Sequence, residues 1–214
     1  MNPTAPPIFD VPNRTSRRGE PAWEIALLYP PQGNWSEAEY LALGTNRLVE
    51  LSDGCLEVLP MPTFLHQFIA LYLFGLLNSF VKTSARGAVL LAPLPVRLRP
   101  GTYREPDIMY FRPERIVDVR KQPEGADLVM EVVSEGPENR KRDLETKRND
   151  YAAAGIPEYW IIDPEERQIT VLILQGKEYR EHGVFGSGTD ASSVLLPGFA
   201  VAVDAVFAAG EGRA

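Results

Sequence analysis

Two acidic residues stand inside apolar stretches, where an unpaired carboxylate costs several kcal/mol to bury. They are Asp107, in Pro106-Asp-Ile-Met-Tyr-Phe111, and Glu131, in Asp127-Leu-Val-Met-Glu-Val-Val-Ser134. Either one alone could end at solvent or pair with an arginine such as Arg104. A third residue changes the balance. Steps of about 100° along a helix over residues 137–154 put Leu144, Lys147, Tyr151 and Ala154 on one narrow stripe. Lys147 then faces the sheet, while Lys141, Arg142, Glu145 and Asp150 lie mostly elsewhere. A lysine opposite two strand carboxylates is either a structural ion pair or a catalytic group. Two carboxylates can hold Mg²⁺ through hard oxygen ligands, and the metal activates water and stabilises charge on a phosphate under attack. A nearby lysine can orient that water or neutralise the developing charge. Asp, Glu and Lys together therefore point to phosphodiester hydrolysis.

Other titratable residues are weaker candidates. In a hairpin turning at Asp53-Gly54, Glu50 falls opposite Glu57. Like charges directly across a ladder are unfavourable, so the pair is read as solvent-facing, with a shared cation as the alternative that makes Glu50 an accessory site residue. Tyr151, on the lysine's stripe, is a second accessory. His66, in the first turn of a helix, reads as a surface or capping residue. His182 falls in a late strand.

The elements that must position these residues follow from pattern. Residues 1–33, rich in proline, read as an extended arm, and residues 34–210 as a single domain. Ser36 caps a short helix from Glu37 to Leu43, ended by Gly44. Phe64, Phe68, Leu71, Tyr72, Leu76 and Phe80 recur at helical spacing, which predicts an amphipathic helix from Thr63 to about Val81 with its aromatic residues in the core. Strands are expected over 87–91, 96–98, 106–111, 127–134, 158–163, 169–174 and 178–184. The stretch around Glu131 is almost continuously apolar, as in a strand buried on both faces. Pro137 to Ala154 reads as a helix ended by Gly155 and Pro157. The order is that of a mixed α/β domain.

The chain has 214 residues and 44% hydrophobic content, enough for one full core. One cysteine, Cys55, excludes an intramolecular disulfide, and no Cys/His cluster has zinc-site spacing. The first twenty residues lack the apolar run of a signal peptide, and no unbroken apolar stretch suggests a membrane span, so a cytoplasmic protein is expected. The net charge of −7 argues against a surface that coats nucleic acid through bulk electrostatics.

Taken together, Pro106-Asp107, Glu131-Val-Val-Ser134 and Asp143…Lys147…Tyr151…Gly155-Ile-Pro-Glu-Tyr-Trp-Ile-Ile-Asp163-Pro164 closely resemble the Uma-two family of restriction-endonuclease-like proteins, within the PD-(D/E)xK nuclease superfamily. The likeness runs from about Ser36 to Phe207. It implies a restriction-endonuclease-like mixed β-sheet flanked by helices, DNA as substrate, and Mg²⁺ (or Mn²⁺) as cofactor. The superfamily's lysine normally stands two residues after the acid, where this chain has Val133. The resemblance implies that the backbone carbonyl of Val133 joins Asp107 and Glu131 as a metal ligand, and that Lys147 supplies the lysine from the helix. A homodimer is expected, since cutting both strands needs two sites. The alternative is a catalytically silent, nuclease-like module that binds DNA or regulates.

Overall fold

A computed structural model describes residues 16–19, 23–26, 28–45, 47–84 and 87–211. Most of the proline-rich arm lies outside these residues. Where the arm is described, it is not simply extended: Trp23–Ala26 forms a helical turn, α1. Its end docks onto the hairpin, with Gly33 N–H donating to Gly54 O at 2.8 Å and Gln32 bonding Leu56 in both directions. Gly54 is required there. Its φ is +78°, and a Cβ would sit 2.5 Å from Gly33 O.

Helix α2, Glu37–Leu41, starts with the expected Ser36 cap, completed by Glu39 into a reciprocal capping box. The hairpin strands are β1, Val49–Ser52, and β2, Cys55–Val58, with Glu50 opposite Glu57 as the turn dictates. Helix α3 spans Phe64–Ser84. Strands β3 (Ala88–Leu91), β4 (Val96–Arg99), β5 (Thr102–Arg104), β6 (Ile108–Phe111) and β7 (Leu128–Val132) follow. A helical crossover then leads to β8 (Glu158–Asp163), β9 (Gln168–Gln175), β10 (Glu178–Phe185), β11 (Asp190–Ser192), β12 (Ala200–Ala202) and the last helix. The crossover comprises α4, Pro137–Lys141, a π turn over Arg142–Thr146, and α5, Lys147–Ala153. The last helix, α6, is Val203–Gly210.

Six strands form the main sheet in the order β10-β9-β8-β7-β6-β3. Only β7 and β8 pair in parallel, which is why a helical crossover must join them. A second sheet, β2-β1-β5-β4, carries the hairpin, and β11 and β12 pair separately. The mixed α/β expectation holds, with the three-residue strands β5, β11 and β12 missed by pattern alone.

The alternation along β7 assigns its two faces. Leu128, Met130 and Val132 join Ile69, Leu73 and Leu77 of α3, with Phe207 of α6, in one core. Val129 and Val133 join Tyr151, Tyr159 and Ile161 in the other, so Glu131 points toward the crossover helix.

Two expectations about helices fail. In α3 the buried stripe is Ile69, Leu73, Leu77 and Val81, and Phe64, Phe68 and Leu71 are turned outward, Phe64 at 85% exposure. Tyr72, Leu76 and Phe80 are partly buried and pack against the core as expected, so the failure is confined to Phe64, Phe68 and Leu71 on the flank. The same helix, Phe64–Thr83, has a mean hydropathy of 1.6, long and apolar enough to cross a membrane by length and composition. Polar residues such as Gln67 and Asn78 interrupt the apolar run and lower that mean, but the surrounding Leu, Ile and Phe keep it high. Along the crossover, Lys147 and Tyr151 are buried as the stripe predicts, but so are Arg142 and Asp143. The π turn explains this. Lys147 N–H reaches back five residues to Arg142 O, and the extra residue rotates the preceding turn toward the sheet.

Candidate active site

Asp107 immediately precedes β6 at the end of the sheet. Its Oδ2 accepts the Val132 N–H at 2.8 Å and faces His66 Nε2 at 3.2 Å. The neighbouring strand thus fixes the carboxylate from one side, and the first turn of α3 from the other. Glu131, one residue earlier on β7, accepts Lys147 Nζ on Oε2 at 2.8 Å and the Tyr151 hydroxyl on Oε1. Lys147 also lies 3.4 Å from Asp143 Oδ1 and 3.9 Å from Glu50 Oε1. The structure therefore brings together Asp107, Glu131, Lys147, Glu50 and Tyr151. Val133 lies just beyond β7, its N–H donating to Ile162 O at 2.8 Å, and it lines an adjoining cavity.

The solvent-facing reading of Glu50 and Glu57 is overturned, and the shared-cation alternative holds. Arg104 reaches both, at 2.7 Å to the fully buried Glu50 and 3.4 Å to Glu57. Arg104 turns to these and to Asp150 at 2.7 Å, not to Asp107 or Glu131. His66 is no surface residue: its side chain is 14% exposed and touches Asp107. His182 lies on β10 with an exposed contact to Ser192, outside the cluster.

Three participants escaped the residue pattern. Asp143 accepts the Ser134 N–H at 3.0 Å and stands one turn before Lys147, a spacing that could have flagged it. Arg142 bridges Asp143 and Glu57 at 3.2 and 3.3 Å. Glu105 is buried beside Glu50, and its Oε2 has no hydrogen-bond partner. In the Arg104-Glu105-Pro106-Asp107 run, its burial carries no sequence signal.

These groups line a cavity of about 220 Å³ that includes His66, Glu105, Asp107, Glu131, Asp143 and Lys147. Burial works against the charge on Lys147, but Glu131, Glu50, Asp143 and Asp107 outweigh it and hold the ammonium above its ordinary range. Burial would also raise Asp107, yet His66, Lys147 and the Val132 N–H keep it below the usual carboxylate value. The same contact with Asp107 raises His66 against its burial. For Glu131 burial prevails over the pull of Lys147 and, with Asp107 and Asp143 adding to it, pushes the carboxyl up to about 8. Glu105 is pushed up to about 7, by burial and by Glu50. The cavity holds more carboxylate than its cations neutralise.

That surplus, and the hard oxygen character of the donors, fit a divalent cation such as Mg²⁺. The unpartnered oxygen of Glu105 fits in the same sense. Among the described residues, no three acidic, histidine or cysteine side chains already converge as a metal cluster, and both oxygens of Glu131 are taken.

Comparison with protein families adds a match over residues 35–204 to Uma2, described as "Putative restriction endonuclease". The chain belongs to the Uma2 family. The fold of this Uma2 protein resembles the crystal structure described as "a putative nuclease belonging to DUF820" from Anabaena variabilis, with a TM-score of 0.66 at 21% identity. That likeness covers 81% of the present chain and 97% of the other, and at this identity it speaks to fold alone. No curated protein matches. The family match, by its description, supports a nuclease.

Proposed function

We propose that this Uma2 protein is a Mg²⁺-dependent endodeoxyribonuclease that hydrolyses DNA phosphodiester bonds, with Mn²⁺ able to substitute. The observation that carries the reading is the convergence of Asp107, Glu131 and Lys147 on one cavity, from strand ends and a helix far apart in sequence. Asp107, Glu131 and the main-chain carbonyl of Val133 would hold the metal. Bound there, it would supply the Lewis acidity that activates a water and stabilises charge on the phosphate. The Val132 N–H and His66 hold Asp107 Oδ2 in a fixed orientation. Tyr151 steadies Glu131. Lys147, kept charged by the surrounding carboxylates, offers a cation to the phosphate oxygens as negative charge develops. A homodimer would place two such sites on opposite strands.

The expected result is plasmid nicking that requires Mg²⁺ or Mn²⁺ and is lost in Asp107→Ala and Lys147→Met. A wild-type protein inert with both metals over many duplex and single-stranded substrates overturns the proposal.

One observation favours a second reading, a silent nuclease-like module: Lys147 and Tyr151 already occupy both oxygens of Glu131. Calorimetry separates the two. Stoichiometric Mg²⁺ or Mn²⁺ binding that Asp107→Ala abolishes supports the nuclease, and no heat of binding supports the silent module.

A further inference from the structure

The small cavity does not end at the catalytic residues. It runs into a larger one, of about 540 Å³, through the shared lining of Met61, Pro62, His66 and Ser134. That volume falls within the range of small-ligand sites. Its lining combines apolar Met61, Pro62 and Leu65 with the polar groups of Ser134, Glu135 and Asn139. Flat apolar faces with a hydrogen-bonding edge are the chemistry of a nucleobase.

Next to this cavity's lining residues along the chain stand aromatic side chains that the core does not use. Phe64 is 85% exposed, and its chain neighbours Thr63 and Leu65 both line the cavity. Phe68 stacks beside it, ring centroids 6.1 Å apart at 24°, and Met61 on the lining is itself 68% exposed. Large apolar side chains gathered in the open mark a binding surface, and exposed aromatic rings are the platform on which unpaired bases stack.

Charge points the same way. Gripping a nucleic-acid backbone, paired or unpaired, draws on clustered free lysine and arginine, whereas this chain carries −7. The cations lining the two cavities are each held by carboxylates: Arg140 by Asp163 and Glu165, Arg142 by Glu57 and Asp143, and Lys147 by Glu131. Affinity must then come from bases, whose faces a duplex hides.

We propose that DNA is engaged through an unpaired stretch, a free single strand or a locally melted segment of a plasmid, with one unpaired base entering the larger cavity and the next stacking on Phe64. This rests on the nuclease reading for its place beside the metal-binding residues, but it is tested by binding, not by cleavage.

The experiment is fluorescence anisotropy of the full-length protein with a labelled DNA strand of about 12 nucleotides and with its duplex, in Ca²⁺ to suppress turnover. The single strand is expected to bind at least about tenfold more tightly than the duplex. Phe64→Ser is expected to weaken it by about tenfold or more, and Phe64→Trp to retain it. Because Phe64 is exposed, an unchanged thermal melt checks that the variant is folded. Equal binding of duplex and single strand, or unaltered affinity in Phe64→Ser, overturns the proposal. So does light scattering that shows Phe64→Ser converting a dimer to a monomer while oligonucleotide affinity stays the same, since the aromatic face then belongs to a second copy. Single-strand binding that depends on Phe64, without nicking, upholds this proposal and removes the nuclease reading. Duplex cleavage indifferent to Phe64 does the reverse.

Discussion

The ammonium of Lys147 lies 2.8 Å from Glu131 Oε2, joining the crossover helix to the strand it crosses from. Both residues are buried, and Asp143 and Glu50 share the same cation. Removing Lys147 takes from buried Glu131 its paired cation and leaves Glu50 and Asp143 to Arg104 and Arg142. Lys147→Met is expected to abolish cleavage and to cost about 3 kcal/mol or more of folding stability, because a broken buried pair leaves its partner uncompensated. Chemical denaturation beside a nicking assay measures both. Full activity in this variant would rule the lysine out of the chemistry.

His66 reaches Asp107 from the face of the sheet opposite Lys147. Its role is to orient the carboxylate. His66→Ala is therefore expected to weaken Mg²⁺ binding by about tenfold, the usual effect of losing a group that aligns a metal ligand. Isothermal titration reads this directly. An unchanged metal affinity would leave His66 a packing residue.

Glu105 makes a pH prediction. Burial, with Glu50 adding to it, pushes its carboxyl from an ordinary 4.5 up to about 7. Between those two values the unfolded chain has lost the proton and the folded chain retains it, so stability falls as pH rises through this window and is level above it. Glu105→Gln removes the titration. In metal-free buffer, the variant is expected to match the wild type near pH 4.5 and to exceed it at pH 8 by about 3 kcal/mol. Thermal melts at the two pH values test it, and a variant less stable at pH 8 contradicts the assignment.

Glu158 anchors the segment after the main sheet. Wholly buried, it accepts the Trp160 indole N–H at 2.6 Å and the backbone N–H groups of Val194 and Leu195 at 2.9 and 2.7 Å. Glu158→Ala leaves one buried donor, the Trp160 indole, and two partly buried backbone donors without partners and is expected to cost about 3 kcal/mol or more. In a chain of this size that lowers Tm by roughly 6–12 °C. A smaller loss means that water replaces the carboxylate.

What the sequence revealed of the site depended on periodicity. Glu131 was legible because a lone acid interrupts an apolar strand, and Lys147 because a helical stripe carries it inward. The Glu50–Glu57 register followed from the Asp53-Gly54 turn, but the arginine between them did not. Arg104 stands on β5, a strand of three residues, too short to give a pattern. His66 and Glu105 were hidden for a related reason. Each lies at the edge of an element, where burial is decided by what packs across it, as α3 packs over the end of β6. The outward aromatic face of α3 was misread because Phe and Ile keep the same period, and which stripe meets the sheet is settled only by the sheet.

The π turn before Lys147 ties the chemistry to chain length as well as to residue identity. It joins two rigid cassettes, one presenting Arg142 and Asp143, the other Lys147 and Tyr151, and its one surplus residue sets their relative phase. Deleting a single residue between 142 and 147 restores α-helical spacing and swings one cassette about 100° away from the other. Homologous chains that differ by one residue in this stretch would then keep every side chain of the site yet be unable to assemble it.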